Sequence, residues 1–263
     1  MASPQAPSFG SSVAVVLKLS MVRLVRGRKL RLGVLAMVLV VLSAIAARYV
    51  AGENIEPAEL VQEAVRLGFF HLLCYLLPYL FAAGAISEEA ESRTLPYLLM
   101  RPISRVAMTL GKWLAAALTS SAVLVVGVLL LHVGAWATEP GEMIDQLGPT
   151  GKIMGALVLL SFLYSAICLF WGALVIEAGG VISILHMGAL EFAFGKLPGP
   201  VRFVSMNYLA TQVAGLPKGG FYEEYVPDVE TWICIAVIVG LTLLFVGLSS
   251  LVTQISELGF GKA

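Results

Sequence analysis

Residues 106–137 read VAMTLGKWLAAALTSSAVLVVGVLLLHVGAWA, with Lys112 as their single Asp, Glu, Lys or Arg. About 20 apolar residues carry an α-helix across the hydrocarbon core of a bilayer. This stretch is longer than the core requires, so it predicts a span whose first turns, with Lys112, extend into the cytoplasm. Working outward, the same criterion finds Leu32–Val50, Leu67–Ser87, Ile153–Ile176, Val181–Phe194 and Trp232–Val252. Only Glu177-Ala178-Gly179-Gly180 separates the fourth span from the fifth. The expected fold is an all-α integral membrane protein of six transmembrane helices.

Composition supports that class. Hydrophobic residues make up 59% of the chain and charged ones 13%, against roughly 45–50% and 25% in soluble domains. So little charge does not cover the exterior of a soluble protein. The 263 residues suit one helical bundle and leave no room for a second catalytic domain. Net charge is zero, so no basic field points to nucleic acid. Cys74, Cys168 and Cys234 all fall within apolar stretches and read as small buried hydrophobes.

Orientation follows from the cations at the span ends. Lys18, Arg23, Arg26, Arg28, Lys29 and Arg31 precede the first span, and Arg93, Arg101 and Arg105 lie between the second and third. The first, third and fifth connections are acidic instead, with Glu53, Glu56, Glu59 and Glu63, then Glu139, Glu142 and Asp145, then Glu223, Glu224, Asp228 and Glu230. Both termini are therefore expected in the cytoplasm. Ala44-Ile45-Ala46 has the form of a signal-peptidase site. The basic segment before it is far longer than an ordinary leader's, and the span is read as retained.

Residues 1–31 are read as a cytoplasmic N-terminus with an interfacial helix at about 11–30, 32–252 as the transmembrane domain and 253–263 as a cytoplasmic C-terminus. On a helical wheel Val13, Val16, Leu17, Ser20 and Leu24 share one side and Lys18, Arg26 and Lys29 another, with Val15 and Val22 breaking the pattern. Such a helix suits the inner leaflet, its cations against anionic headgroups. The alternative is a basic flank that only sets topology. Residues 195–230 combine Pro198, Pro200, Gly215, Pro217, Gly219 and Gly220 with the apolar run Val201–Leu216. That run is too short to cross and too apolar to be solvated, so a broken, re-entrant element before the last span is expected. A helix lying flat on the outer surface is the alternative.

Residues 86–105 read ISEEAESRTLPYLLMRPISR. This resembles the cytoplasmic connection of ABC-2 permeases, the membrane subunits of ATP-binding-cassette exporters. There an acidic cluster precedes Gly-Thr, a Leu-Leu pair, an Arg-Pro-Val/Ile-Ser-Arg turn and a Lys opening the third span. The matching positions are Glu89, Glu91, Thr94, Leu98, Leu99, Arg101, Pro102, Ile103, Ser104, Arg105 and Lys112, while Arg93 stands where the family usually has glycine. The resemblance implies that segment 88–105 docks a separate ATPase through a short coupling helix at Leu95–Met100. Thr94 would cap it and Pro102 would end it, with Ser104 capping the next helix. Glu88, Glu89 and Glu91 would pair with basic residues on the partner. It also implies pairing with a second permease, identical or related, and two ATPase copies, in a bacterial inner membrane. No Gly-x-x-x-x-Gly-Lys-Ser/Thr occurs in the sequence, so ATP would bind the partner and no cofactor is expected here.

Polar residues at membrane depth are expensive and carry a functional expectation. Glu191, open to pairing with Lys196 or Arg202, and Tyr75 are candidates for the substrate path. His71 and Cys74 share a helix side with Tyr75 and Pro78, but two ligands make no metal site. His132 and His186 read as packing residues, Pro78 as a kink, and Gly151-x-x-x-Gly155 as a close-approach pair. Two other functions merit weighing. Glu88-Glu89-Ala90-Glu91-Ser92-Arg93 matches the opening motif of CAAX-type intramembrane proteases by letter. That family's accompanying Phe-x-x-x-His and His-x-x-x-Asn/Asp are missing around His132 and His186. A non-transporting scaffold with a permease fold is the other.

Overall fold

A computed structural model describes residues 8–51, 56–86, 104–195, 197, 199–216 and 229–255. Its regular elements are all helical among the described residues. Among the described residues five helices are long and apolar enough to cross a membrane: α2 (Arg28–Val50), α3 (Pro57–Ala83), α4 (Arg105–Ala135), α6 (Leu147–Leu174) and α9 (Thr231–Ile255). Between and around them run α1 (Phe9–Arg26), α5 (Pro140–Asp145), α7 (Gly179–His186) and α8 (Met206–Ala214). The expected fifth span is α7 continued by a π-helical stretch, Met187–Ala193. At ~1.5 Å per residue that is shorter than a ~30 Å hydrocarbon core.

α6 is the centre of the bundle, packed against α3, α4, α7, α8 and α9. Close approach is built into its end: a Cβ on Gly172 would lie 2.4 Å from the Ala83 carbonyl oxygen. The outer helices α2 and α9 leave rows of leucine and valine exposed, such as Leu35, Leu39 and Leu42 on the one and Leu243, Leu244 and Leu251 on the other. Those faces suit lipid or another helix.

α1 and α2 are separate, joined at Gly27, where the backbone is extended and its N–H closes on the Leu24 carbonyl. The expected interfacial helix therefore ends four residues early. Its wheel also has two apolar sides. Ser12 and Val16 pack inward, while Val15, Leu19 and Val22 are exposed. The valines that break the expected pattern form the second face. Val16 fits over Gly111 of α4, where a Cβ would come within 2.7 Å of it.

α3 begins ten residues before the expected Leu67, so Glu59 and Glu63 lie in its first turns. It changes pitch repeatedly, being π-helical at Val65–Leu73, α-helical at Cys74–Pro78 and π-helical again at Tyr79–Ala83. The return from α to π spacing falls directly after Pro78, the position at which a kink is expected. At the acidic end of the bundle Arg48 of α2 reaches Thr138 (3.1 Å) and Glu139 (3.3 Å) beyond α4. Nearby, hydrogen bonding to Glu139 and its negative charge hold the Glu142 carboxyl above its usual range.

Candidate functional site

Two groups of polar residues stand out, one at the basic end of the bundle and one at mid-depth. Both arise where regular helices begin, end or change pitch.

At the basic end Ser104 caps α4, its hydroxyl accepting from the Ala107 N–H at 3.1 Å, as the sequence suggests. Arg105 follows and donates to the carbonyls of Thr253 (3.1 Å) and Gln254 (3.3 Å). These carbonyls end α9, where a cation meets the negative pole of the helix. One turn into α4 the Thr109 hydroxyl meets that of Thr253 at 3.0 Å, both side chains buried. Lys112, in the early turns of α4, is 4% exposed and donates to the Ala85 carbonyl at 2.7 Å. The start of α4 is thereby tied to the last turn of α9 and to the end of α3.

In sequence, segment 88–105 lies between Ala85 and the start of α4. Glu88, Glu89, Glu91, Arg93, Thr94, Leu98, Leu99, Arg101 and Pro102 lie outside the described residues. Its flanks are firmly seated: Ile86 is fully buried and Ser104 opens α4. The partners inside the bundle, Thr109, Thr253 and the Ala85 carbonyl, carry no local motif. Arg105 and Lys112 alone signal them.

At mid-depth Glu191 sits in the π-helical stretch after α7, facing the start of α8. One carboxylate oxygen accepts from the Ser205 hydroxyl and from the Asn207 N–H, each at 2.9 Å. Ser205 is the N-cap of α8. A carboxyl oxygen there satisfies an otherwise unpaired N–H at the start of the helix. The Asn207 side chain then donates to the Tyr75 hydroxyl at 2.9 Å and to the Phe70 carbonyl at 2.6 Å. Glu191 and Tyr75, selected separately from the sequence, are thus joined through one asparagine. Tyr75 also tilts onto the ring of buried Tyr164, 5.2 Å between centroids.

The change of pitch in α3 explains why the Phe70 carbonyl is there to be taken. The Cys74 N–H bonds back to Phe69, five residues earlier. From Cys74 the helix resumes α spacing, four residues back. The step between registers passes over Phe70, and Asn207 supplies the donor. Asn207 and Ser205 were not singled out in the sequence. An amide inside the apolar run Val201–Leu216 was the available signal, by the argument already applied to Glu191.

Other selected side chains have local partners. His71 bonds through Nδ1 to the Arg66 carbonyl at 2.6 Å. His132 contacts the Met143 carbonyl at 3.0 Å and the Thr150 hydroxyl at 2.9 Å. His186 packs between Trp171 and Phe245. Arg202 is buried, donating to the Leu197 carbonyl at 2.6 Å with its guanidinium 5.8 Å from the centre of the Tyr208 ring. Among the described residues no three His, Cys, Asp or Glu converge as a metal site. Gly151 and Gly155 face open space within the chain.

A family model described as "ABC-2 family transporter protein" matches residues 17–194, more than half of the chain. The match begins within α1, takes in Arg105, Thr109 and Lys112 but not their partners on α9, and ends at Phe194, three residues after Glu191. A comparison with the curated proteins finds no match.

Proposed function

The chain belongs to the ABC-2 transporter family, and from that premise we propose that it is a permease subunit of an exporter driven by a separate ATPase. The observation that carries the proposal is the junction at the basic end. Arg105 and Thr109 bind the end of α9, and Lys112 binds the end of α3, on either side of the segment that would grip the motor. A displacement of 88–105 would reach three long helices at once.

In this reading α7, its π-helical continuation and the residues that follow together make a broken sixth crossing, and both termini are cytoplasmic. The cations of α1 and of 93–112 support that orientation. Residues 195–230 form a re-entrant element on the opposite side. Two ATPases bind the cytoplasmic face of a pair of permeases, and ATP-driven closure moves the coupling segments to alternate access. Glu191, Asn207 and Tyr75 hold α8 against α3 beside the path. The membrane is the inner membrane of a bacterium, and transport runs outward.

The test is to purify the tagged chain from its native membrane in mild detergent and identify copurifying chains by mass spectrometry. Recovery of an ATPase carrying a P-loop supports the reading, and its absence under conditions that preserve comparable complexes opposes it. Stimulation of ATP hydrolysis by a candidate substrate separates a transporter from a scaffold.

A further inference from the structure

Among the five long helices α3 alone changes pitch, and it does so on both sides of a short α-helical segment, Cys74–Pro78. The N–H of Cys74 reaches the Phe69 carbonyl, five residues back, while that of Tyr79 reaches Tyr75, four back. A π-helical stretch holds more residues per turn than α pitch needs. Both ends of α3 are pinned. Gly68 lies too close to Val40 of α2 to carry a Cβ, and Gly172 of α6 too close to the Ala83 carbonyl. Pro78, at the end of the segment, has no N–H to give up or regain. We propose that Cys74–Pro78 is a two-position element. It turns between fixed ends as one residue passes from the first π-helical stretch (Val65–Leu73) to the second (Tyr79–Ala83), and Asn207 is its latch.

One residue of α-helix is a turn of about 100° and a rise of ~1.5 Å. After such a step each side chain of the segment stands where its C-terminal neighbour now stands. Tyr75 leaves Asn207 and the ring of Tyr164, and Cys74 takes its place. The hydrogen bonds nearly balance. In the present position the Phe70 carbonyl accepts from the Asn207 side chain at 2.6 Å. In the other it accepts from the Cys74 N–H at α spacing. Neither position leaves that carbonyl unpaired inside the bilayer, so the asparagine decides between them. The side chains of the segment, Cys-Tyr-Leu-Leu-Pro, suit either pitch.

The turn exchanges a phenol for a small thiol beside α8. Its bearing on transport rests on the permease reading above. The two positions themselves are measured on this chain without an ATPase, so a negative result here leaves that reading standing.

The experiment is the rate of N-ethylmaleimide labelling of the purified full-length chain in nonionic detergent, followed by intact mass, with Cys168 and Cys234 changed to Ala. One form keeps Cys74, and the other carries Cys74→Ala with Leu76→Cys. Cys74 is fully buried and moves to the half-buried place of Tyr75. Position 76 is half-buried and moves to the fully buried place of Leu77. Asn207→Leu removes the latch. The expected result is that Cys74 labels at least about fivefold faster and position 76 more slowly. Thr109→Val, at the junction with α9, is expected to change neither rate. Should Asn207→Leu fail to fold, Asn207→Ala replaces it with the same expected directions. Faster labelling at both positions would show general loosening and overturn the proposal. An unchanged rate at either position overturns it too, as do the same shifts in Thr109→Val.

Discussion

Arg105, the first residue of α4, donates to the carbonyl of Thr253 in the last turn of α9 at 3.1 Å. The two residues are far apart in sequence and lie at the ends of different membrane helices. The same turn of α9 meets Thr109, so the contact has a charged outer part and a neutral buried part. It makes the third and last long helices one mechanical unit at the end where a motor would pull.

Arg105→Ala is expected to lower stability by about 1 kcal/mol, since a cation at a helix C-terminus contributes ~0.3–1 kcal/mol and the side chain is only half-buried. Arg105→Lys should recover part of this, because a lysine retains the charge but not the fork that reaches two carbonyls. Thermal unfolding in detergent, followed by intrinsic fluorescence, measures both. Stability unchanged in Arg105→Ala would contradict the tie.

Thr109→Val and Thr253→Val probe the buried part. Each hydroxyl is also within reach of a carbonyl of its own helix, Thr109 of Arg105 and Thr253 of Ser249, and with one proton apiece the two make at most two of these three bonds at a time. Either single change therefore costs about 1 kcal/mol or less, and the double change costs less than the sum. Strict additivity in the double-mutant cycle would show that the two hydroxyls do not interact.

Asn207→Leu removes the donor to both Tyr75 and the Phe70 carbonyl but keeps the backbone N–H that binds Glu191. Glu191→Ala removes the acceptor for Ser205 and that N–H, whereas Glu191→Gln retains an acceptor. Losses of about 1 kcal/mol are expected for Asn207→Leu and Glu191→Ala, the scale of polar contacts inside membrane proteins. Glu191→Gln should cost less. The order Gln worse than Ala, by thermal unfolding, would refute the capping role given to Glu191.

Gly111→Leu places carbon where Val16 now lies, and the backbone of Leu17 stands only 3.0 Å from a Cβ at that position. Overpacking of this kind costs about 1–3 kcal/mol, and α1 is the cheaper side to move. The expected outcome is that cysteine substituted for Val16, buried in the wild type, becomes reactive to a maleimide while the long helices stay intact. Protection at position 16 in the Gly111→Leu background would count against the packing of α1 on α4.

Much of this architecture was legible because a membrane span needs only length and apolarity. The stretch 106–137 yields α4 nearly to its ends, and Ser104 reads correctly as a cap because capping is a local preference. Span edges were less legible: Pro57–Leu67 carries carboxylates yet stays helical, since a helix leaving the bilayer needs no apolar surface. The π-helical stretches of α3 left no mark, as an apolar run satisfies either pitch and only tertiary partners such as Asn207 choose between them. Glu191 and Tyr75 were recognisable one by one through the cost of polar groups in lipid. Their connection was not, because it passes through α8, whose approach to α3 depends on the whole bundle.

The measurement that tests the central claim most directly reverses two sets of carboxylates and weighs the ATPase that copurifies with each. One variant carries Glu88, Glu89 and Glu91 changed to Lys, in the segment held between Ala85 and Arg105. The other carries Glu59 and Glu63 changed to Lys, at the opposite end of α3. The account predicts that the first loses the ATPase and the second keeps it at the wild-type level. Retention by the first, or loss only from the second, would contradict both the coupling surface and the orientation on which it rests.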